Sequence, residues 1–302
     1  MIELKNNVYT FSKDNKPIAF AKEGEEVIFH TLDCFCQQIR SEDDKIEELD
    51  FSKANPATGP LYIEGARPGD VLAVEILDVE VAKSGVMATF KGLGALHKNC
   101  ETRTKILKVE DGQIYFNDIS FPAVPMIGVI GCAGDGEPVQ TSDSFSGGGN
   151  MDSRIITKGV TVYLPVRVPG ALLAMGDVHA AMGDGEVCET GVEIDATIRV
   201  KTRIIRDFDL RWPITETDDF WFVNTTGKNC DVAIQYGYEE MQRLIMNAYG
   251  WDATDACMYL SAQARLESNQ ACLNPHEKDE EGDTFRVGVP KLKSKPPIIP
   301  EG

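Results

Sequence analysis

Residues 67 to 82 read RPGDVLAVEILDVEVA. A Pro-Gly-Asp turn leads into an apolar run, Val71, Leu72, Ala73, Val74, Ile76, Leu77, Val79 and Val81, broken only by Glu75, Asp78 and Glu80. A run with so few polar breaks predicts a strand buried on both faces, as between two sheets or in a barrel. The same strand-and-turn grammar extends outward from it. Upstream, VYTFS (8–12), PIAFA (17–21) and EEVIFHTLD (25–33) are short, rich in β-formers and separated by polar breaks. Downstream, KILKVEDGQIYFND (105–118) predicts a hairpin about Asp111-Gly112. In VEIDATIRVKTRII (192–205), Val192, Ile194, Ala196, Ile198 and Val200 alternate with Glu193, Asp195, Thr197, Arg199 and Lys201, the period of a half-buried strand.

The pattern changes near residue 236. YGYEEMQRLIMNAYG sets Tyr238, Met241, Leu244, Ile245 and Ala248 on one helical face, with Gly250 as the C-terminal cap. A second helix is expected after Thr254 as N-cap, running through ACMYLSAQARLE. The Pro-rich tail KLKSKPPIIPEG is expected to be extended. The expected organisation is a mainly β region over 1–235 carrying the chemical motifs, and a helical C-terminal element over 236–302 packing on it.

The 302 residues are 42% apolar, enough for a sizeable core, and the net charge is −18. Phosphate binding needs clustered Lys and Arg, so nucleic acid is excluded as a partner, and an anionic membrane surface is disfavoured. No apolar run approaches a membrane span, and the polar stretch MIELKNNVYTFSKDN has no leader-like core, so a cytoplasmic location is expected. Eight cysteines include Cys34 and Cys36 in C-x-C but no C-x-x-C pair, which argues against a Cys-rich zinc module.

Only four histidines occur, and one lies in GDVHAAMGDGEVCE (176–189). If Leu172 to Ala180 is extended, Asp177 and His179 share a face, where a carboxylate and an imidazole can hold one ion. Gly183-Asp184-Gly185 would turn the chain, bringing Glu186 and Cys188 back on a return strand. The competing reading is an ordinary hairpin with its polar residues in water. In GGGNMDSR (147–154) the glycines permit positive φ and close backbone approach, presenting Asn150 and Asp152, or else form a linker. His30 and Asp33 do not share a face in a flat strand. Cys132, among apolar and glycine neighbours, reads as a small core residue rather than a nucleophile.

Taken together, TLDCFCQQI (31–39), RPGDVLAVEILDV, GGNMDSR and YLPVRVPGALLAMGDVHAAMGDGEVCETGVEI (163–194), in that order, resemble the acetamidase/formamidase family. The resemblance runs from about residue 20 to VGVPKL (287–292). It implies a mainly β fold with sandwich-like and barrel-like parts and a small α/β C-terminal element. It also implies hydrolysis of short linear amides to carboxylate and ammonia, a bound divalent metal (zinc ahead of calcium), and a homodimer or larger assembly. Carried over by motif, the candidate site residues are Asp33, Asn150, Asp152, Asp177, His179, Glu186 and Glu193. Chemistry assigns Asp152, Asp177 and His179 as metal ligands, with Glu193 and Asp33 as a fourth ligand or supporting partners. Glu186 is the expected general acid/base, and the N–H groups of Gly148 and Gly149 the expected oxyanion donors. The chain departs from the family pattern at Cys34-Phe35-Cys36, where a small glycine-containing stretch is expected, and ARLESNQACLNP (264–275) matches loosely. The rival readings are a metal-independent amidase, a hydrolase of another C–N substrate, and a non-enzymatic β protein holding structural calcium.

Overall fold

The computed structural model describes residues 1–270 and 282–300. It is mainly β, with a curled half-barrel sheet and a small C-terminal helical element. The stretch 67–82 sits at its heart. Val71–Val81 is a strand of a nine-stranded sheet, between Ala196–Ile205 on one side and Thr161–Pro165 on the other. Leu72, Val74 and Ile76 enter one core, while Val71 and Ala73 enter another. Both faces of the first half are therefore covered, as the apolar run predicts; beyond Ile76 the strand emerges and its acids alternate toward water.

The first core lies between this sheet and a seven-stranded one containing Ala57–Ile63, Met126–Gly131, Gly148–Asn150 and Leu173–His179. Phe29, Val162 and Ile198 from the larger sheet meet Leu61, Ile127, Met175 and Val178 from the smaller, which is sandwich packing. The Asp111-Gly112 hairpin is present, Glu110 pairing with Gln113 and both turn residues having positive φ, as a type I′ turn requires.

The other face of the large sheet is covered by α1 (Cys230–Tyr249) and α2 (Ala253–Gln263). Met241, Leu244 and Ile245 are fully buried there, each contributing about 1.5–3 kcal/mol. Gly250 caps α1 in the left-handed conformation, as expected. Several expectations are corrected. The second helix ends at Gln263 instead of running through Glu267, and Arg265–Ser268 and Asp283–Pro290 are strands of the nine-stranded sheet, so the C-terminal element is α/β and not helical throughout. The first helix starts at Cys230, because the Asn229 side chain accepts from the Val232 N–H. The cap of the second is Asp252, which accepts from the N–H groups of both Thr254 and Asp255, so Thr254 lies inside the helix. The tail is irregular through residue 300, anchored by buried Ile298 and Ile299; its last two residues lie outside the described ones, as do 271–275 of the loosely matching C-terminal stretch. Among the described residues no helix is long and apolar enough to cross a membrane.

Candidate functional site

Asp177 and His179 end the strand Leu173–His179 and do converge: His179 Nε2 lies 3.5 Å from Asp177 Oδ1. The flat-strand reasoning is incomplete, however, because Asp177 has φ +52°. The kink is possible because Gly128 lies opposite, between the registered pairs Ile127–Val178 and Val129–Gly176. A Cβ at Gly128 would fall 2.4 Å from Asp152 Oδ1 and 2.7 Å from Asp177 Oδ2. A second glycine makes room for the imidazole, since a Cβ at Gly191 would fall 2.4 Å from His179 Nδ1.

Three more acids close on His179 Nε2. Glu193 Oε2 is at 3.2 Å, and Asp152 Oδ1 and Glu186 Oε1 are each at 3.9 Å. Asp152, Asp177, His179, Glu186 and Glu193 are all buried. Asp152 follows the Gly148–Asn150 strand with φ +42°, and Glu186 has φ +44°. Non-glycine residues in this region cost about 1–3 kcal/mol each, and here three acids of one cluster share the strain. Glu193 is fixed by bridges to Val86 and His179 and by the Gly191 N–H at 2.8 Å from its Oε1.

The loop carrying Glu186 is held by a distant arginine. Buried Arg286, in the strand Asp283–Pro290, donates to Asp184 Oδ1 at 2.6 Å and to Asn269 Oδ1 at 2.8 Å, and pairs with Glu267 at 2.6 Å. Gly185 N–H donates to the Asn269 carbonyl at 2.7 Å, and Gln270 Nε2 lies 3.4 Å from Glu186 Oε2.

Burial sets the electrostatics. It pushes Glu186 up to about 8 and Glu193 up to about 7, His179 opposing the rise in each. Burial, reinforced by Glu186 and Asp177, drives the Asp152 carboxyl well above its ordinary range. Burial disfavours the charged imidazole of His179, yet Glu193 and Asp177 outweigh it and hold the ring's proton affinity well above normal. So many carboxylates cannot all ionise together without cations. Both carboxylate oxygens of Asp152 lack a hydrogen-bond donor among the described residues. Buried orphan oxygens beside an imidazole are a donor set suited to a divalent metal, and Asp152, His179 and Glu186 place ligand atoms within 4.8 Å of one another.

Other expected residues lie differently. The Asp33 carboxylate turns back to accept from the Gln37 N–H at 3.0 Å, and its own N–H donates to Asp195; burial raises it to about 6. Asn150 is buried with Oδ1 unpartnered, two residues before Asp152. Gly148 and Gly149 are corrected as oxyanion donors: their strand is paired on both edges, so its N–H groups serve neighbouring strands. Their positive φ serves backbone packing, since a Cβ at Gly148 would fall 2.2 Å from the Ile130 carbonyl. No return strand forms after Gly185, and the Cys188 thiol turns to the Thr190 carbonyl at 3.5 Å. His30 pairs with Glu3 at 3.1 Å, His97 bonds the Gly94 carbonyl within its loop, and Cys132 is buried in the first core.

The sequence reading missed two residues. Cys34 is buried with its thiol within 4.8 Å of ligand atoms of Asp177 and Glu193. Burial, then Glu193 and Asp177, push this thiol well above its ordinary range, which makes it a poor nucleophile. Asn55 donates through Nδ2 to Asp177 Oδ2 at 3.4 Å, and its N–H holds the Cys34 carbonyl at 2.8 Å. The departure of Cys34-Phe35-Cys36 from the family pattern was the available signal. A cleft of about 510 Å³ is lined by Arg154, Lys158, Asp184, Glu267 and Arg286 and by none of the clustered donors. Chemistry rather than cleft size therefore places the site.

Comparison with known proteins finds similar sequences and folds. The profile of the Acetamidase/Formamidase family matches residues 5–144 and 135–265. An acetamidase from Bacillus halodurans is 40% identical, with a TM-score of 0.90 over 96% of each chain. A structure from Thermoanaerobacter tengcongensis, titled a predicted acetamidase/formamidase, is 37% identical, with a TM-score of 0.91 over 96% of this chain and 95% of that one. A formamidase from Methylophilus methylotrophus is 26% identical over 63% of this chain and 62% of its own length. The matches span 60% to 63% of the length of the curated relatives.

Proposed function

From the premise that the chain belongs to the acetamidase/formamidase family, we propose that it hydrolyses the C–N bond of short linear amides, releasing carboxylate and ammonia with the help of a divalent metal. The observation that carries this is the buried cluster of four carboxylates on one imidazole, with both Asp152 oxygens unsatisfied. Asp152, Asp177, His179 and Glu193 would hold the ion, and the imidazole favours zinc over calcium. When bound, zinc supplies a water of lowered pKa and polarises a carbonyl.

The rest falls to the chain's own residues. An amide resists attack because nitrogen donates into the carbonyl and is a poor leaving group until protonated. Glu186 takes the proton of the attacking water and passes it to the departing nitrogen. In the metal-free cluster burial raises its pKa to about 8, so near neutral pH both the carboxylate that accepts the proton and the acid that donates it are populated. Arg286 and Gln270 position it by holding its loop. His179 presents Nε2 to the acids, and Asn55 orients Asp177. Asp33 and Asn150 act as supporting residues at the edge of the cluster. Small substrates suit so enclosed a site and imply weak binding.

We further propose that the protein works in the cytoplasm and that it assembles as a homodimer or larger. The deciding experiment measures ammonia release from formamide, acetamide and larger amides, with metal analysis of the same sample. Activity abolished by chelator and restored by zinc supports the reading. Turnover that survives complete metal removal overturns it.

A further inference from the structure

The cleft of about 510 Å³ beside Arg286 plays no part in the acid cluster, yet its volume falls within the roughly 300–1,000 Å³ of small-molecule sites. Ile155 and Val160 give it an apolar lining, and most of its remaining wall is polar or charged. Nearly all of those charges are spent on one another. Buried Arg286 holds Asp184 and Glu267, each at 2.6 Å, and Lys158 pairs with Asp78 at 2.8 Å.

Two charges of opposite sign are left over. The Arg154 guanidinium, about half exposed, has a single ion pair at 3.4 Å, to the Asp184 carboxylate that Arg286 already holds. Asp218 stands exposed in the turn between the strands Ile214–Glu216 and Phe220–Gly227, with no ion pair or side-chain hydrogen bond among the described residues. Both line the same cleft and they do not pair with each other. An occupant between them meets a cation on one wall and an anion on another. The net charge of −18 opposes a simple anion, while Arg154, Lys158 and Arg286 oppose a simple cation. A ligand that carries both charges and none in sum is opposed by neither.

We propose that this cleft binds a small zwitterion of the amino-acid class, its carboxylate seated on Arg154 and its ammonium on Asp218. A guanidinium takes a carboxylate through two parallel N–H···O bonds, and an ammonium donates readily to a carboxylate. Ile155 and Val160 receive the carbon chain between the two charges. The site lies outside the acid cluster, so it stands or falls independently of the amide-hydrolase reading.

Ligand-observed NMR on the full-length protein tests this. Glycine and 4-aminobutanoate are the probes, zwitterions of two lengths, with acetate and butylamine as single-charge controls. Exposed ion pairs are weak and are screened by salt, so millimolar affinity that falls as salt rises is expected. At least one zwitterion should bind several-fold more tightly than acetate or butylamine. Arg154→Gln and Asp218→Asn should each weaken it several-fold, and Asp218→Asn, a change in an exposed turn, should melt as the wild type does. Acetate binding as tightly as the zwitterions makes this a plain anion site, butylamine doing so makes it a plain cation site, and either overturns the proposal. Zwitterion binding unchanged in both variants places the ligand elsewhere and also overturns it, as does the absence of saturable binding by both zwitterions.

Discussion

Gly128→Ala adds one methyl group where the structure has no room for it. The backbone there is not left-handed, so alanine meets no conformational penalty and the cost is contact alone. The new carbon would sit 2.4 Å from Asp152 Oδ1, 2.7 Å from Asp177 Oδ2 and 2.8 Å from the Asp177 carbonyl. Carbon and oxygen settle at roughly 3.4 Å, so Asp152 must retreat by about 1 Å. Overpacking of this kind costs about 1–3 kcal/mol. In a chain of this size that lowers Tm by about 1.5–2 °C per kcal/mol, leaving the protein folded at 25 °C. A displacement of about 1 Å at a reacting centre costs on the order of 100-fold in rate. The assay is ammonia release at saturating amide, with bound metal counted and a thermal melt recorded. Gly136→Ala serves as the control, because a Cβ there meets nothing within 4 Å. The expected result is a folded protein with turnover down about 100-fold and metal content reduced. Wild-type turnover and metal content in Gly128→Ala would refute the placement of Asp152 and Asp177 at the reacting centre.

Metal-free protein should lose stability as pH rises. Folding raises Glu186 from 4.5 to about 8 and Glu193 from 4.5 to about 7, so across that window the folded chain binds more protons than the unfolded one. Urea melts in chelator at pH 5 and pH 8 check this, and greater stability at pH 8 would contradict the burial argument. Zinc binding near pH 7 should release protons, read by calorimetry in two buffers of different ionisation enthalpy; equal heats would count against protonated acids in the metal-free site. Arg286→Met should cost about 2 kcal/mol, less than the ~3–5 of a fully buried pair, since Asp184 and Glu267 keep contact with water. It should also lower kcat by loosening the Glu186 loop, and an unchanged kcat would remove that loop from the mechanism. Asp33→Asn should retain its metal where Asp177→Asn loses it, as elemental analysis of the two variants would show.

Local chemistry was legible in the sequence where local geometry decides it. The 71–81 strand, the Asp111-Gly112 hairpin and the pairing of Asp177 with His179 each follow from residues adjacent in the chain. The helix starts were misread because the caps, Asn229 and Asp252, stand ahead of the apolar stripe that announces each helix. Long-range partners were hidden for a different reason. Asn55 meets Asp177 across 122 residues, and Cys34 reaches it from a loop with its own small core, so spacing along the chain holds no trace of either contact. The kink at Asp177 was equally invisible, since its cause is the missing side chain of Gly128 on the neighbouring strand.

The clasp of Arg286 on Asp184 also orders events in time. The two residues are 102 positions apart, so at ordinary rates of translation the loop waits roughly 5–20 s for its arginine to be made. Until then the loop lacks the Arg286 strand that holds it, even after Gln270 has been made. A nascent chain therefore cannot assemble the complete acid cluster while most of it is already outside the ribosome. The Glu186 loop reaches its final position only after the Asp283–Pro290 strand has been made and paired into the large sheet.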